Sequence, residues 1–175
     1  MTPDLLAKLK PIQLLILDVD GTLTDGLMYY GNSGEVLKAF HVHDGLGMHL
    51  LKKAGIDIAI ITAKQSDAVA HRMRELGLTH VYLGCKDKRP AYNELKSKLN
   101  LQDKNIAYVG DDLPDLCLMQ QAGMSFTLKN APARMHQHAD YITQKKAGRG
   151  AIREICELIL TAQDKLDAVL APYLS

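Results

Sequence analysis

Two aspartates, Asp18 and Asp20, follow the apolar run Leu14-Leu15-Ile16-Leu17, and a second acidic pair, Asp111 and Asp112, follows Ile106-Ala107-Tyr108-Val109 across Gly110. A third apolar run, over 57–62, ends in the hydroxyl of Thr62, with Lys64 just beyond. Short apolar runs that stop at polar residues read as buried parallel strands. Ligands of open α/β sheets bind outside the carboxyl ends of such strands. Carboxylates from two separate strands therefore converge on one point, and their oxygens suit a hard cation such as magnesium. The plainer reading makes these acids turn formers and helix caps. Asp112, two residues before Pro114, does read as a helix start, but capping does not require acids on two strands.

The elements that hold these residues are legible in the pattern. Further apolar runs lie at 80–83 and, more weakly, at 124–128, and helix candidates at 45–54, 66–76, 88–99 and 113–122 fall between the runs. A last helix, over 151–160, carries Ile152, Ile155, Cys156, Ile159 and Leu160 on one face. The alternation predicts an α/β fold, a three-layer Rossmann-like sandwich around a mainly parallel sheet. One segment breaks the rhythm. Leu27-Met28-Tyr29-Tyr30, the turn Gly31-Asn32-Ser33-Gly34 and the run 35–40 read as strand, turn, strand. This is a β-hairpin flap over the site, inserted at about 27–40; an edge hairpin of the main sheet is the alternative. No repeat or long linker is visible, so a single domain over 1–175 without a large cap domain is expected.

Composition narrows the function classes. The chain has 175 residues, enough for one substantial core, with 47% hydrophobic and 23% charged residues and a formal charge of +1. That balance gives no reason to expect a nucleic-acid or membrane-surface partner. Cys85, Cys117 and Cys156 are odd in number and lack metal-ligand spacing, so reduced thiols are expected. No run approaches the ~20 apolar residues of a membrane span, and the first ten residues do not read as a leader. A cytoplasmic enzyme is the expectation.

Asp18-Val19-Asp20-Gly21-Thr22, Thr62, Lys88 and Gly110-Asp111-Asp112 resemble, in order, the four motifs of the haloacid dehalogenase superfamily. The resemblance implies that Asp18 attacks phosphorus to form an aspartyl-phosphate, and that Asp20 protonates the leaving alcohol and then activates water. It makes Thr62 a hydrogen-bonding partner of the phosphoryl oxygens and Lys88 a countercharge. Asp18, the Asp20 carbonyl and Asp111 would bind Mg2+, with Asp112 or Asp115 supporting them from behind. The residue types suit the chemistry. A phosphate monoester repels an incoming carboxylate, so a cation and a lysine are needed to offset the charge.

A narrower resemblance covers residues from about 12 to 165. Thr24-Asp25-Gly26, the hairpin, the run Lys38-Ala39-Phe40-His41-Val42-His43-Asp44-Gly45 and Gly148-Arg149-Gly150-Ala151 are similar to the 3-deoxy-D-manno-octulosonate 8-phosphate phosphatases. This implies a homotetramer packed through the hairpins, with neighbouring subunits helping to cover each site, and an acidic eight-carbon sugar phosphate as substrate in lipopolysaccharide precursor synthesis. His41, Val42, His43, Asp44 and Gly45 are then expected to contact the sugar, together with His49, Lys64, Arg72, Lys88 and Asp20. His43, His49 and the pair Ala63-Lys64 depart from the family pattern, which often has arginine or Gly-Arg there. Lysine lacks the bidentate fork of arginine, and histidine is neutral or charged according to its surroundings. These departures touch sugar recognition, so an acylneuraminate or other nonulosonate 9-phosphate is the runner-up substrate. If extended, the segment puts His41 and His43 on one face, where with His49 a zinc site is conceivable, but the carboxylates form the better hard-metal site. A non-catalytic receiver-like signalling domain also combines an acidic cluster with Thr and Lys in an α/β fold, but lacks a hairpin after its first strand.

Overall fold

The computed structural model describes residues 1–174, and at 35 and 36 the backbone alone; residue 175, the last of the expected domain, lies outside the described residues. In chain order the elements are α1 (Pro3–Leu9), β1 (Leu14–Leu17), β2 (Tyr29–Gly31), β3 (Gly34–Leu37), α2 (Val42–Lys53), β4 (Asp57–Ile61), α3 (Asp67–Glu75) and β5 (His80–Tyr82). There follow α4 (Arg89–Lys98), β6 (Ile106–Val109), α5 (Leu116–Gln121), β7 (Met124–Thr127), α6 (Ala133–His136), β8 (Tyr141–Ile142), α7 (Ala151–Ala162) and α8 (Leu166–Leu170).

Six strands form one sheet in the order β5-β4-β1-β6-β7-β8, and every neighbouring pair is parallel. β1 is central, with Leu17 opposite Ile60 on one side and Val109 on the other. Its four apolar residues are all buried because helices cover both faces of the sheet. Leu15 and Leu17 join the core beneath α1, α2, α3 and α7; Leu14 and Ile16 join the core beneath α4, α5 and α6. Side-chain alternation along one strand thus feeds two cores, which is the three-layer sandwich the sequence predicts. The chain leaves β1 toward β4 on one side and later returns to β6 on the other, so the reversal of strand order falls at the carboxyl end of β1, where ligands gather in such sheets. Among the described residues, no helix is long and apolar enough to cross a membrane.

The hairpin pairs only with itself: β2 and β3 form a separate antiparallel two-stranded sheet, so the edge-strand alternative falls. The helix expected at 113–122 divides into a 3-10 turn, Leu113–Asp115, followed by α5. β8, α6, α1 and α8 are not called from the sequence. β8 has two residues and α6 four, too few to show a period.

The larger correction concerns 41–45. This segment is not extended. His41 is the N-cap, with φ −87° and ψ 131°, and α2 begins at Val42. Gly45 suggested a later start, yet it sits inside the helix, where a Cβ would stand 2.7 Å from Arg72 Nη2. The rings of His41 and His43 still meet edge-on, with centroids 4.9 Å apart. Asp44 is 1% exposed, and its carboxylate accepts hydrogen bonds from the backbone N–H of Gly150 (3.3 Å) and Arg153 (2.8 Å) at the start of α7. It caps a helix remote in sequence, satisfying donors that the helix itself cannot. Asp44→Ala should therefore lower the unfolding free energy by about 1–2 kcal/mol, read from urea denaturation; an unchanged midpoint would show that the α2–α7 junction does not need the cap.

Candidate active site

Asp18 is the first residue beyond β1, and its N–H donates to Val109 O at 3.1 Å, which keeps the end of β1 in register with β6. Its carboxylate turns inward and is 6% exposed. Lys88, at the N-cap of α4, places its ammonium 2.6 Å from Asp18 Oδ1 and 2.6 Å from Asp115 Oδ1, with its side chain 3% exposed. Tyr108 on β6 donates its hydroxyl to the same Asp115 oxygen at 2.7 Å. Asp115 Oδ2 accepts from the N–H of Asp111 at 3.1 Å and, more weakly, of Asp112 at 3.4 Å. Four donors thus converge on one carboxylate, which matches its capacity of about four lone-pair sites.

Asp18, Asp111 and Asp115 can each present one carboxylate oxygen within 4.8 Å of the others. With Asp115 engaged by its donors, Asp18 and Asp111 are the carboxylates best placed to hold a cation. Their electrostatics fit one. Burial pushes the Asp18 carboxyl up to about 6, with Lys88 opposing the shift and Asp115 adding to it. Burial, then the charges of Asp18 and Asp115, push Asp111 up to about 8. Burial disfavours the Lys88 ammonium, but Asp18 and Asp115 outweigh it and hold its pKa above the ordinary lysine value. One buried lysine among three acids leaves negative charge over, which a hard divalent cation would relieve.

Two glycines make the cluster possible. A Cβ at Gly21 would stand 2.6 Å from Asp111 Cγ, and one at Gly110 would stand 2.5 Å from Asp115 Cγ. Gly21 also has φ +87°, a left-handed conformation that glycine adopts freely.

The cluster opens onto a cavity of about 240 Å³ that Asp18, Asp20, Thr62, Lys64, Lys88 and Asp111 all line. Thr62 is reached by continuing β4 one residue, its N–H donating to Tyr82 O at 3.0 Å. Lys64 also lines a neighbouring hollow of about 550 Å³ between Tyr30 and Leu37 of the hairpin and the start of α3. Its Nζ lies 3.3 Å from Met28 Sδ and 3.5 Å from the Tyr30 hydroxyl.

Two comparisons bear on the family. A model of haloacid dehalogenase-like hydrolases matches residues 84–155. The 3-deoxy-D-manno-octulosonate 8-phosphate phosphatase KdsC of Escherichia coli strain K12 is 47% identical over 167 residues, covering 95% of this chain and 89% of that protein. The chain belongs to the haloacid dehalogenase-like hydrolases, in the 3-deoxy-D-manno-octulosonate 8-phosphate phosphatase family.

Solved structures place the fold in the same family. The phosphatase of that name from Moraxella catarrhalis, in complex with magnesium, phosphate and KDO, is 44% identical with a TM-score of 0.94 over 99% of both chains. A haloacid dehalogenase superfamily hydrolase of Legionella pneumophila is 51% identical with a TM-score of 0.94, over 98% of this chain and 94% of that one. The receiver-like alternative gives way to this membership.

In this member of the family, the remaining residues expected at the sugar do not line the acidic cavity of their own chain. His41 and His43 face a separate hollow with Arg149 and Arg153. Val42 is 72% exposed, and His49 lies on the exposed side of α2. Asp44 caps α7. Gly45 and Arg72 pack together beside Leu23, Phe40 and Met48. Asp112 caps the 3-10 turn, accepting from Leu113 N–H at 2.8 Å. Asp115, expected with Asp112 as a support behind the acids, accepts from the Asp111 N–H. Two residues at the site were given no part from the sequence: Tyr108 stands out only as the one hydroxyl in an otherwise apolar strand, and the contact of Lys38 with Asp20 is visible only in the fold.

Magnesium at about a hundred times its Kd should stabilise the folded chain by about 2.7 kcal/mol, visible as a rise in melting temperature. Asp111→Asn should lose that rise, and so should Gly21→Ala, because its new methyl displaces the Asp111 carboxylate. No shift in the unsubstituted protein would remove the cation from this cluster.

Proposed function

We propose that the chain is a single magnesium-dependent phosphatase domain that hydrolyses 3-deoxy-D-manno-octulosonate 8-phosphate to the free sugar acid and phosphate in the cytoplasm, a step toward lipopolysaccharide precursors. The observation that carries the reading is the Asp18 carboxylate, held by a buried Lys88 beside Asp111 and open to a cavity that Asp20 shares. The names of relatives at 44–47% identity over nearly the whole chain supply the substrate.

Asp18 is the nucleophile. Its carboxylate oxygen bonds to phosphorus as the ester P–O bond breaks, and Asp20 gives its proton to the departing sugar oxygen. Asp20, now a carboxylate, takes a proton from the water that cleaves the aspartyl-phosphate, restoring Asp18. Lys88 holds Asp18 in place and offsets negative charge, and Thr62 hydrogen-bonds the phosphoryl oxygens. A magnesium ion held by Asp18, Asp111 and the Asp20 carbonyl supplies positive charge to the phosphoryl group. The sugar extends past Lys64, which stands between the acidic cavity and the larger hollow under the hairpin.

The assembly is a homotetramer. Leu27, Tyr29, Tyr30 and Leu37 are 45–65% exposed on one hairpin, an apolar surface that a second copy would cover. In such an assembly a neighbour brings its own groups to the rim of each site, and His41, Val42, His43, Asp44, Gly45, His49 and Arg72 would meet sugar there rather than in their own chain.

The purified protein with magnesium should release phosphate repeatedly from 3-deoxy-D-manno-octulosonate 8-phosphate and faster than from nonulosonate 9-phosphates; the reverse order would reassign the substrate. Asp18→Asn should lower kcat by about 10⁴-fold or more while leaving the circular dichroism spectrum unchanged. Sedimentation at micromolar concentration should give a tetramer, and a monomer would refute the assembly.

A further inference from the structure

The ammonium of Lys38 contacts Oδ1 of Asp20, with the lysine side chain 2% exposed and that of Asp20 25% exposed. Lys38 comes directly after β3, so the charge is delivered by the return arm of the hairpin and not by the sheet that carries the other site residues. Asp20 and Lys88 line the acidic cavity; Lys38 does not. It reaches the carboxylate from outside the space a phosphate would occupy. Taking an ammonium out of water is unfavourable by several kcal/mol unless a partner compensates, so a lysine buried to this degree against a more open carboxylate is a specific contact. A lysine that bound phosphate would have to project into the cavity, as Lys88 does.

We propose that Lys38 is a positioning residue that orients the carboxyl of Asp20 for proton transfer, and that it ties this orientation to the placement of the hairpin. The proposal rests on the phosphatase reading. With Oδ1 held by Lys38, Oδ2 is the oxygen left to face the substrate. As an Asp18 oxygen bonds to phosphorus and the bond from phosphorus to the sugar oxygen breaks, the Oδ2 proton passes to that oxygen, and the sugar leaves as a neutral alcohol. A carboxyl free to rotate would present the proton in the productive direction only part of the time. Because the arm that bears Lys38 continues from the apolar hairpin, whatever seats the hairpin also seats the acid.

Leaving-group dependence separates this role from a structural one. p-Nitrophenolate departs without a proton, whereas a sugar alkoxide needs one, so Asp20 matters more for the sugar phosphate in kcat/KM, which reports the first bond cleavage. Lys38→Met should lower kcat/KM at least about 30-fold more on 3-deoxy-D-manno-octulosonate 8-phosphate than on p-nitrophenyl phosphate, within the range general acids contribute. Lys38→Arg should recover most of the loss. In an Asp20→Asn background, Lys38→Met should change the sugar phosphate rate by less than about threefold, since residues that act through one another are not additive. Equal losses on the two substrates, or an undiminished loss in the Asp20→Asn background, would overturn the proposal. Should Lys38→Met fail to give the native circular dichroism spectrum, Lys38→Gln carries the same comparison. An unsubstituted protein inactive on both substrates would sink the phosphatase reading itself, a result distinct from any substrate-selective outcome.

Discussion

The ammonium of Lys88 is the contact on which the site depends. It lies between Asp18 and Asp115 with its side chain 3% exposed, and Asp111 stands close to both. Two carboxylates about 4 Å apart repel by about 4 kcal/mol at the effective dielectric of a protein, and three of them crowd here. Lys88 sits at the start of α4, Asp18 at the end of β1 and Asp115 ahead of α5, so the pairings fasten three segments across the carboxyl edge of the sheet. Tyr108 and the N–H groups of Asp111 and Asp112 complete the shell of Asp115. Removing one member of such a network leaves another charge buried and uncompensated, which is far more destabilising than never having had the pair.

The same edge explains why the molecule has two hollows side by side. The acidic one lies at the strand ends and is the smaller of the two. The larger one has a hairpin for one wall and the first residues of α3 for the other, and Lys64 borders both. The sheet thus carries Asp18, Thr62 and Asp111 just beyond its strand ends, while the larger hollow is walled by a hairpin that pairs only with itself.

How much of this could be read from residues alone depended on how local each signal was. β1, β6 and β4 after its first residue, Asp57, are continuous apolar runs, and burial on both faces is what that pattern means; the acids and the threonine at their ends followed. The stripe of α7 was equally plain. The hairpin was legible from its turn, but its separation from the main sheet was not, since pairing partners are not written in a turn. The segment 41–45 misled because a glycine in the first turn of a helix resembles a boundary, while the true N-cap, His41, makes no side-chain cap hydrogen bond. Asp115 could be named beside Asp112 as a support for the acids, but its pairing with Lys88, 27 residues away, and that of Lys38 with Asp20, 18 residues away, are contacts made across the fold that a single sequence does not specify.

The paired glycines carry a consequence for divergence. Gly21 leaves room for the acid of the other loop, and Gly110 leaves room for Asp115 just downstream of it. Neither loop can gain bulk at its glycine: a methyl at Gly21 meets the carboxylate of Asp111, and one at Gly110 meets that of Asp115. Gly21 and Asp111 thus couple the two loops, whereas at Gly34 on the hairpin a Cβ would meet nothing within 4 Å and only the backbone, at φ +109°, disfavours a side chain. Added bulk is thus opposed at the acidic edge by carboxylates and at the hairpin turn by backbone conformation alone.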